Sequence, residues 1–256
     1  MSRILITGGP TNEFIDEVMK ITNMSTGTLS VTLGEYFLSH GDEVCLILNH
    51  RVNADHIISK FHAGEKLKFH WVETTDEMMN ALKTESSNSY NAVIHAAAVG
   101  DYKADFSFLM EDLAEELYET GKKAGGFHSP EDILKLLTNP KCRLDDSSKI
   151  SSYQANLTVK LALTPKIIAR LREWYPDAKL IGCKLLENVA KEELFDVAAK
   201  LCNKNNMDYI LANDLADLRS GQPARYLVTK EGYTGIALET PKKIYEFVVD
   251  LIGRVI

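Results

Sequence analysis

The residues best suited to chemistry fall in a few short segments. Gly8-Gly9-Pro10-Thr11 closes an apolar run. Asn23, Ser25, Thr26 and Gly27 lie in "TNMSTGTLS", just ahead of an amphipathic stretch. Hydroxyls and free backbone amides at a helix start favour an anion, and the same residue types also serve as plain N-caps. "HAAAVGDYKAD" carries Ala97, Ala98 and Asp101. Small side chains leave room for a ligand against the backbone, and the carboxylate after them can accept from hydroxyls or amides; close packing with a turn aspartate has the same pattern. Lys149 is a lone lysine among hydroxyls in "SSKISS", where a mobile cation could close over a polyphosphate or stay solvated. Gly182-Cys183-Lys184 and Ala212-Asn213-Asp214 end two further apolar runs.

Several familiar patterns are missing. Neither GxGxxG nor GxxxxGK[ST] occurs, and the long stretch "PTNEFIDEVMKITNMSTG" separates Gly9 from the first helix, where a dinucleotide loop would need a few residues. The 7 histidines are scattered without HExxH, and Cys45, Cys142, Cys183 and Cys202 form no CxxC pair. Reduced thiols and no dedicated zinc site are expected. The net charge of -7 argues against bulk nucleic-acid binding and leaves a small anionic ligand open. The opening apolar run is too short for a signal peptide, and no stretch approaches the ~20 apolar residues of a membrane span. A soluble cytoplasmic protein without membrane or nucleic-acid partners is the expectation.

The elements that must position these segments alternate. "RILITGG" reads as a buried strand with its exit turn, Leu29 to about Ser39 as a helix, Glu43–Leu48 as a strand, "LKFHWVE" as a third strand, "TDEMMNALKTE" as a helix capped by Thr75 or Asp76, and Asn91–Val99 as a fourth strand. From Gly100 to about Ser152 no strand is evident. "FSFLMEDLAEELYETGKK" reads as one helix and "SPEDILKLLT" as another, with Ser129 as N-cap and Pro130 at its first position. Alternation resumes with a strand at Asn156–Thr164, a helix in "PKIIARLREW" opening at Pro165, a strand in "AKLIGCKLL", a helix from Glu187 to about Asn203, a strand in "DYILAND", a hairpin turning at Glu231-Gly232, and a closing helix in "PKKIYEFVVDLIGRV". This predicts an α/β, Rossmann-like, doubly wound and mostly parallel sheet in one domain, with an internal flap at about 103–152 and a C-terminal hairpin.

Taken in order, "ITGGPTNEFID", "ITNMSTG", "HAAAVGDY", "SSKISS" and "ILAND" resemble the landmarks of the phosphopantothenate–cysteine ligases, spanning Ile4 to Asp214. The resemblance implies ligation of 4′-phosphopantothenate to L-cysteine in coenzyme A biosynthesis. A nucleoside triphosphate, CTP or ATP, with magnesium, would activate the carboxylate as an acyl-nucleotidylate, and cysteine would displace the nucleotide. It also implies a homodimer and a monofunctional chain working with a separate decarboxylase, since this chain opens directly on its first strand. By resemblance Asn23 contacts phosphopantothenate and acts on the acyl intermediate. Ala97, Ala98 and Asp101 hold substrate. Gly8, Gly9, Ser25, Gly27, Ser30, Cys183 and Asn213 line the nucleotide, and Lys149 stabilises the triphosphate. The family's second serine is Thr26 here, its glycine three residues after Gly27 is Ser30, and Cys183 stands where a phenylalanine would flank the base.

Two other classes compete. "ILITGG" with strand alternation suits an NAD(P)-dependent oxidoreductase of short-chain type, against which the absent GxxxGxG and YxxxK tell. A non-catalytic nucleotide-sensing module would bind nucleotide and release no pyrophosphate.

Overall fold

The computed structural model describes residues 1–62, 64, 66–145, 149–221 and 225–253. In chain order its elements are β1 (Arg3–Gly8), β2 (Asn12–Phe14), β3 (Lys20–Thr22), α1 (Thr28–Ser39), β4 (Glu43–Asn49), α2 (Asp55–Phe61), β5 (Leu67–Val72), α3 (Thr75–Glu85), β6 (Ala92–His95), β7 (Tyr102–Leu109), α4 (Met110–Ala124) and α5 (Pro130–Thr138). Then come β8 (Leu157–Leu163), a 3-10 turn (Ile167–Arg170), α6 (Leu171–Trp174), β9 (Lys179–Leu186), α7 (Lys191–Lys204), β10 (Tyr209–Asp214), α8 (Leu215–Arg219), β11 (Arg225–Thr229), β12 (Gly232–Leu238) and α9 (Pro241–Leu251).

The chain forms two compact units: Met1–Thr11, Asn23–Val99 and Pro165–Ile256 make the first, and Asn12–Thr22 with Gly100–Thr164 make the second. In the first unit an eight-stranded sheet runs β12-β11-β10-β9-β6-β1-β4-β5. Strands from β5 to β10 are parallel, and β11 and β12 are antiparallel additions. Chain order moves outward from β1 in one direction and then in the other, so strand order switches between β1 and β6. Ligands of open α/β sheets bind beyond the carboxyl ends at such a switch. Because both faces are covered, the inner strands are apolar without alternation: Ile4, Leu5 and Ile6 are all fully buried. One face packs Val31, Leu33 and Phe37 of α1, Ile57 of α2 and Ile244 of α9. The other packs Met78 and Leu82 of α3, Leu171 of α6 and Leu194 of α7.

The second unit holds a short hairpin of β2 and β3, an antiparallel pair of β7 and β8, and helices α4 and α5. Its apolar cluster is small: Phe106, Phe108 and Leu113, with Leu117, Leu136 and Cys142 against them. Polar ties do much of the remaining work. Glu116 accepts the backbone amides of Lys141 at 2.9 Å and Cys142 at 3.0 Å. Asp16 accepts the amides of Val18 at 2.7 Å, Met19 at 2.6 Å and Ile150 at 2.9 Å, which hold its carboxyl below the ordinary range.

Several sequence expectations need correction. The segment after Gly100 does contain a strand, β7, because Phe106 and Phe108 alternate toward Leu113 before the helical period begins at Met110. Consequently "FSFLMEDLAEELYETGKK" is strand then helix. The strand at Asn156–Thr164 does not rejoin the main sheet: β8 pairs with β7 in the second unit. The N-cap of α3 is Thr74, whose hydroxyl accepts from Glu77, while Thr75 is buried and donates to Thr11 at 3.0 Å. "PKIIARLREW" yields a 3-10 turn and one turn of α-helix, ended by Tyr175, which turns inward and donates to the Leu82 carbonyl. Helix α7 starts at Lys191 because Asn188 is left-handed at φ 54 and the Asn188 and Val189 amides are held by Asp214. Strand β6 stops at His95, and beyond it Ala98 keeps only an isolated parallel bridge to Pro10. Ser129 caps α5 with Pro130 in its first turn, and the C-terminal hairpin forms, both as expected.

Candidate functional site

The site is built on the exit of β1. Gly8 cannot carry a side chain: a Cβ there would lie 2.3 Å from the Ser30 hydroxyl oxygen. Ser30 is itself buried, and its hydroxyl donates to the Thr7 carbonyl at 2.8 Å. That hydroxyl is thus committed to the fold. Gly9 and Gly27 both adopt left-handed conformations, at φ 82 and φ 70, and a Cβ on either would strike Val52, at 2.5 Å and 2.6 Å. The β1 exit and the start of α1 are therefore pressed together over one valine.

Gly27 is the N-cap of α1. Gly27 offers no side-chain cap, the Thr26 hydroxyl accepts the Thr28 amide at 3.4 Å, and the first turn has no acidic residue. The Thr26 and Thr28 hydroxyls also hydrogen-bond to each other at 2.8 Å. Amides of this first turn and the positive end of the helix dipole so meet no carboxylate of the cap, an arrangement suited to an anion. Ser25 is partly exposed, its amide donating to the Asn23 carbonyl at 3.1 Å.

The β6 exit is fixed by a buried polar network. The Thr7 hydroxyl accepts the Ala97 amide at 3.3 Å and meets Nδ1 of His95 at 2.8 Å. A hydroxyl has one proton and two lone pairs, so Thr7 can hold the neutral imidazole in either tautomer at this contact. Burial pushes His95 down to about 4, consistent with that neutral form. The Ala98 amide donates to the Gly9 carbonyl at 2.9 Å, and the Asn23 side-chain amide donates to the carbonyls of Ala98 and Val99, each at 3.2 Å. The structure thus brings together Gly8, Gly9, Asn23, Gly27, Ala97 and Ala98 in one unit.

Cys183 and Asn213 lie further along the same carboxyl edge. Cys183 is half-buried, and burial pushes its thiol up to about 11. Asn213 is 9% exposed, and Asp214 beside it accepts the amides of Asn188, Val189 and Ala216, fixing the loop after β9. That role of Asp214 was not foreseen, although a polar residue at a strand end is a signal for it. Asp101 and Lys149 belong to the second unit and are exposed; the Asp101 carbonyl accepts the Thr164 amide at 3.1 Å, and Lys149 precedes Ile150, which Asp16 holds. Ser147 and Ser148 of "SSKISS" lie outside the described residues.

Far from a CxxC pattern, Cys45, His70 and Glu85 place ligand-type atoms within 4.8 Å of one another. Glu85 accepts from Lys68 at 2.5 Å, His70 at 2.6 Å and Tyr90 at 2.5 Å, and burial pushes the Cys45 thiol up to about 12. With an ammonium on the carboxylate and a protonated thiol, this group acts as a hydrogen-bond hub joining β5, α3 and Tyr90 ahead of β6.

Comparison with known proteins follows the same lines. Residues 1–141 match the model of the DNA/pantothenate metabolism flavoprotein C-terminal domain. The coenzyme A biosynthesis bifunctional protein CoaBC of Methanocaldococcus jannaschii is 29% identical over 256 residues, covering 98% of this chain and 51% of that protein. Its Thermococcus kodakarensis counterpart is 27% identical over 255 residues, covering 99% of this chain and 51% of that protein. The chain spans about half the length of the curated relatives it matches. A DNA/pantothenate metabolism flavoprotein from Streptococcus pneumoniae, solved by crystallography, is 30% identical with a TM-score of 0.77 and 98% of each chain covered. A Cab2 mutant in complex with phosphopantothenate-cysteine shares the fold at 18% identity, with a TM-score of 0.64, covering 98% of this chain and 85% of that one. On the sequence match and the crystallographic likeness together, the chain belongs to the DNA/pantothenate metabolism flavoprotein C-terminal domain family.

Proposed function

We propose that this chain joins 4′-phosphopantothenate to L-cysteine. The observation that carries the reading is the tie between Asn23, at the acid-free start of α1, and the Ala98 and Val99 carbonyls at the β6 exit. It sets a neutral donor between an anion-suited helix start and a turn of small residues. The family relationship, with relatives described as coenzyme A biosynthesis proteins, supports this chemistry over hydride transfer.

In the reaction, a phosphopantothenate carboxylate oxygen attacks the α-phosphorus of CTP or ATP and pyrophosphate leaves. The cysteine amine then attacks the acyl carbon, loses a proton, and the nucleoside monophosphate leaves as the amide forms. Asn23 would donate to the acyl oxygen as charge develops on it, and an amide does so without offering a nucleophile of its own. Ala97 and Ala98 would admit the substrate against the backbone, with Asp101 holding its hydroxyl or amide groups. Gly8, Gly9, Ser25 and Gly27 would approach the phosphates, and Lys149 would act on the triphosphate as a point charge. Magnesium would be held mainly by phosphate oxygens and water, because Asn23, Ser25, Thr26 and Gly27 offer it only neutral groups. We take the working form as a cytoplasmic homodimer whose product passes to a decarboxylase in the same pathway.

The test is pyrophosphate release with CTP and ATP in parallel, with and without phosphopantothenate, then amide product after cysteine addition. Phosphopantothenate-dependent release is expected with at least one nucleotide; none with either sinks the reading. Asn23→Asp is expected to slow amide formation while the acyl-nucleotidylate accumulates. Equal loss of both half-reactions would remove Asn23 from the acyl step.

A further inference from the structure

A second group of chemistry-bearing side chains lies at the amino edge of the main sheet, away from the β1 exit. The parallel ladder sets Cys45 beside Lys68 and Ile47 beside His70, so Cys45, Lys68 and His70 share one face of β4 and β5. Helix α3 packs on that face and ends at Glu85, which brings its carboxylate to them. Sγ of Cys45, a ring nitrogen of His70 and a carboxylate oxygen of Glu85 lie within 4.8 Å of one another. Cys45 is 3% and Glu85 1% exposed, while His70 is half-buried. The two Glu85 oxygens have different partners. Oε2 accepts from the Tyr90 hydroxyl at 2.5 Å and the Asn88 amide at 3.0 Å. Oε1 accepts from Lys68 at 2.5 Å and meets Nε2 of His70 at 2.6 Å. The Lys68 side chain is 54% exposed, so its ammonium can pass from the carboxylate to water at little cost. Cys45, Lys68, Glu85, Asn88 and Tyr90 also line an open cavity of about 410 Å³.

We infer that Cys45, His70 and Glu85 form a binding site for one zinc ion, separate from the proposed ligation. The residues show no zinc-ligand spacing along the chain, because the set exists only once β4 and β5 pair and α3 packs on them. A thiolate, an imidazole and a carboxylate are a donor set for zinc, whereas magnesium takes oxygen ligands alone. Tetrahedral zinc holds neighbouring ligand atoms about 3.5 Å apart. The His70–Glu85 pair would open from 2.6 Å and the thiol would close from at most 4.8 Å, changes of about 1 Å that side-chain rotation supplies. On binding, the Cys45 thiol gives its proton to water, its sulfur lone pair goes to the metal, and the Lys68 ammonium leaves Oε1. Two anionic ligands then balance the charge of the ion. Tyr90 and Asn88 keep Oε2, and so aim Oε1 at the metal as outer partners of a ligand do. The fourth position opens on the cavity, which also gives the ion a way in. Arg3 lines the same cavity, but Glu43 matches its charge at 2.8 Å. Bound zinc would tie β4, β5 and the end of α3 together and stabilise the folded chain by mass action.

The experiment titrates Co²⁺, a spectroscopic stand-in for zinc, into the chelator-treated, untagged full chain and follows thiolate-to-cobalt charge transfer and the tetrahedral d–d bands. Saturation at one ion per chain is expected, with displacement by Zn²⁺, none by excess Mg²⁺, and a thermal midpoint that rises with added Zn²⁺. Cys45→Ala should abolish the charge-transfer band, and Cys142→Ala, at a partly exposed cysteine of the second unit, should leave it unchanged. Tyr90→Phe keeps all three ligands and should weaken binding roughly 10- to 100-fold, as loss of an outer partner does. Lys68→Met removes the competing ammonium and should tighten binding roughly two- to fivefold, the worth of a half-exposed ion pair. Circular dichroism checks that each variant is folded; should Cys45→Ala fail to fold, the opposite shifts of Tyr90→Phe and Lys68→Met decide. Absence of the charge-transfer band in the wild type, its survival in folded Cys45→Ala, or displacement by Mg²⁺ would overturn the site. So would Lys68→Met binding no tighter than the wild type, which leaves the cluster a hydrogen-bond hub alone.

Discussion

The two units are held together by different physics. The first buries long apolar strands between two helical layers, with Phe37, Leu33 and Ile6 all at 0% exposure. Its polar groups at the site rest on that frame. The second has the three buried residues Phe106, Phe108 and Leu113 as its apolar centre and relies on carboxylates that gather backbone amides, Asp16 and Glu116 chief among them. Apolar burial is indifferent to pH and roughly proportional to area; carboxylate–amide ties are directional and weaken on protonation. The difference teaches that the residues expected to hold phosphates are set on a rigid frame, while Lys149 and Asp101 sit on a unit tuned by hydrogen bonds.

Truncation should separate the two most sharply. Phe37→Ala is expected to cost about 3–5 kcal/mol, read as a lower urea midpoint of the whole chain. Phe108→Ala should mainly speed amide exchange through β7, β8 and α4, leaving exchange in β1 and β4 nearly unchanged. Equal effects of both on every element would erase the distinction.

Next comes a pH effect inside the first unit. His95 is held at about 4 by burial, against an ordinary 6.5. The unfolded chain takes up that proton first, so stability is full above the unfolded value and falls as pH drops from 6.5 toward 4. The shift corresponds to about 3 kcal/mol. Urea midpoints across that range should show the decline, and His95→Gln should flatten it; an unchanged slope in that variant would place the titration elsewhere.

The smallest effect belongs to Asp16. Its carboxyl is held low, so its ties are present above the unfolded value and weaken as pH falls below it. Asp16→Asn is expected to raise amide exchange at Ile150 roughly tenfold at neutral pH, with little change in β1 or β6. Exchange that stays at the wild-type rate would remove Asp16 as the link between the hairpin and the segment bearing Lys149.

Much of this was legible in the residues. The apolar runs of β1, β4, β9 and β10 identify themselves, as do α5 with Ser129 and Pro130 and the hairpin of β11 and β12, because strand period, cap and turn chemistry are local. The delayed start of α1 was visible but not its cause: Asn12–Thr22 folds as a hairpin of the second unit. Ser30 was placed along the nucleotide by resemblance, at a position where the family has glycine. Its side chain donates to the Thr7 carbonyl, because Gly8 leaves a space that its hydroxymethyl group fills. β7 was missed because Phe106 and Phe108 run directly into the helical pattern of α4.

By itself, the sequence determined the parallel α/β class, the glycines and neutral donors of the "TNMSTG" loop, and the order of the strand-end segments, all of which depend on residues near one another in the chain. Only the tertiary structure decided that β8 pairs with β7 and not with the main sheet, that His95 is neutral beneath Ala97, and that Leu211 pairs with Leu227 across β10 and β11. Each of these turns on a partner distant in sequence, and burial then sets the charge state and the cost of leaving a polar group unmatched.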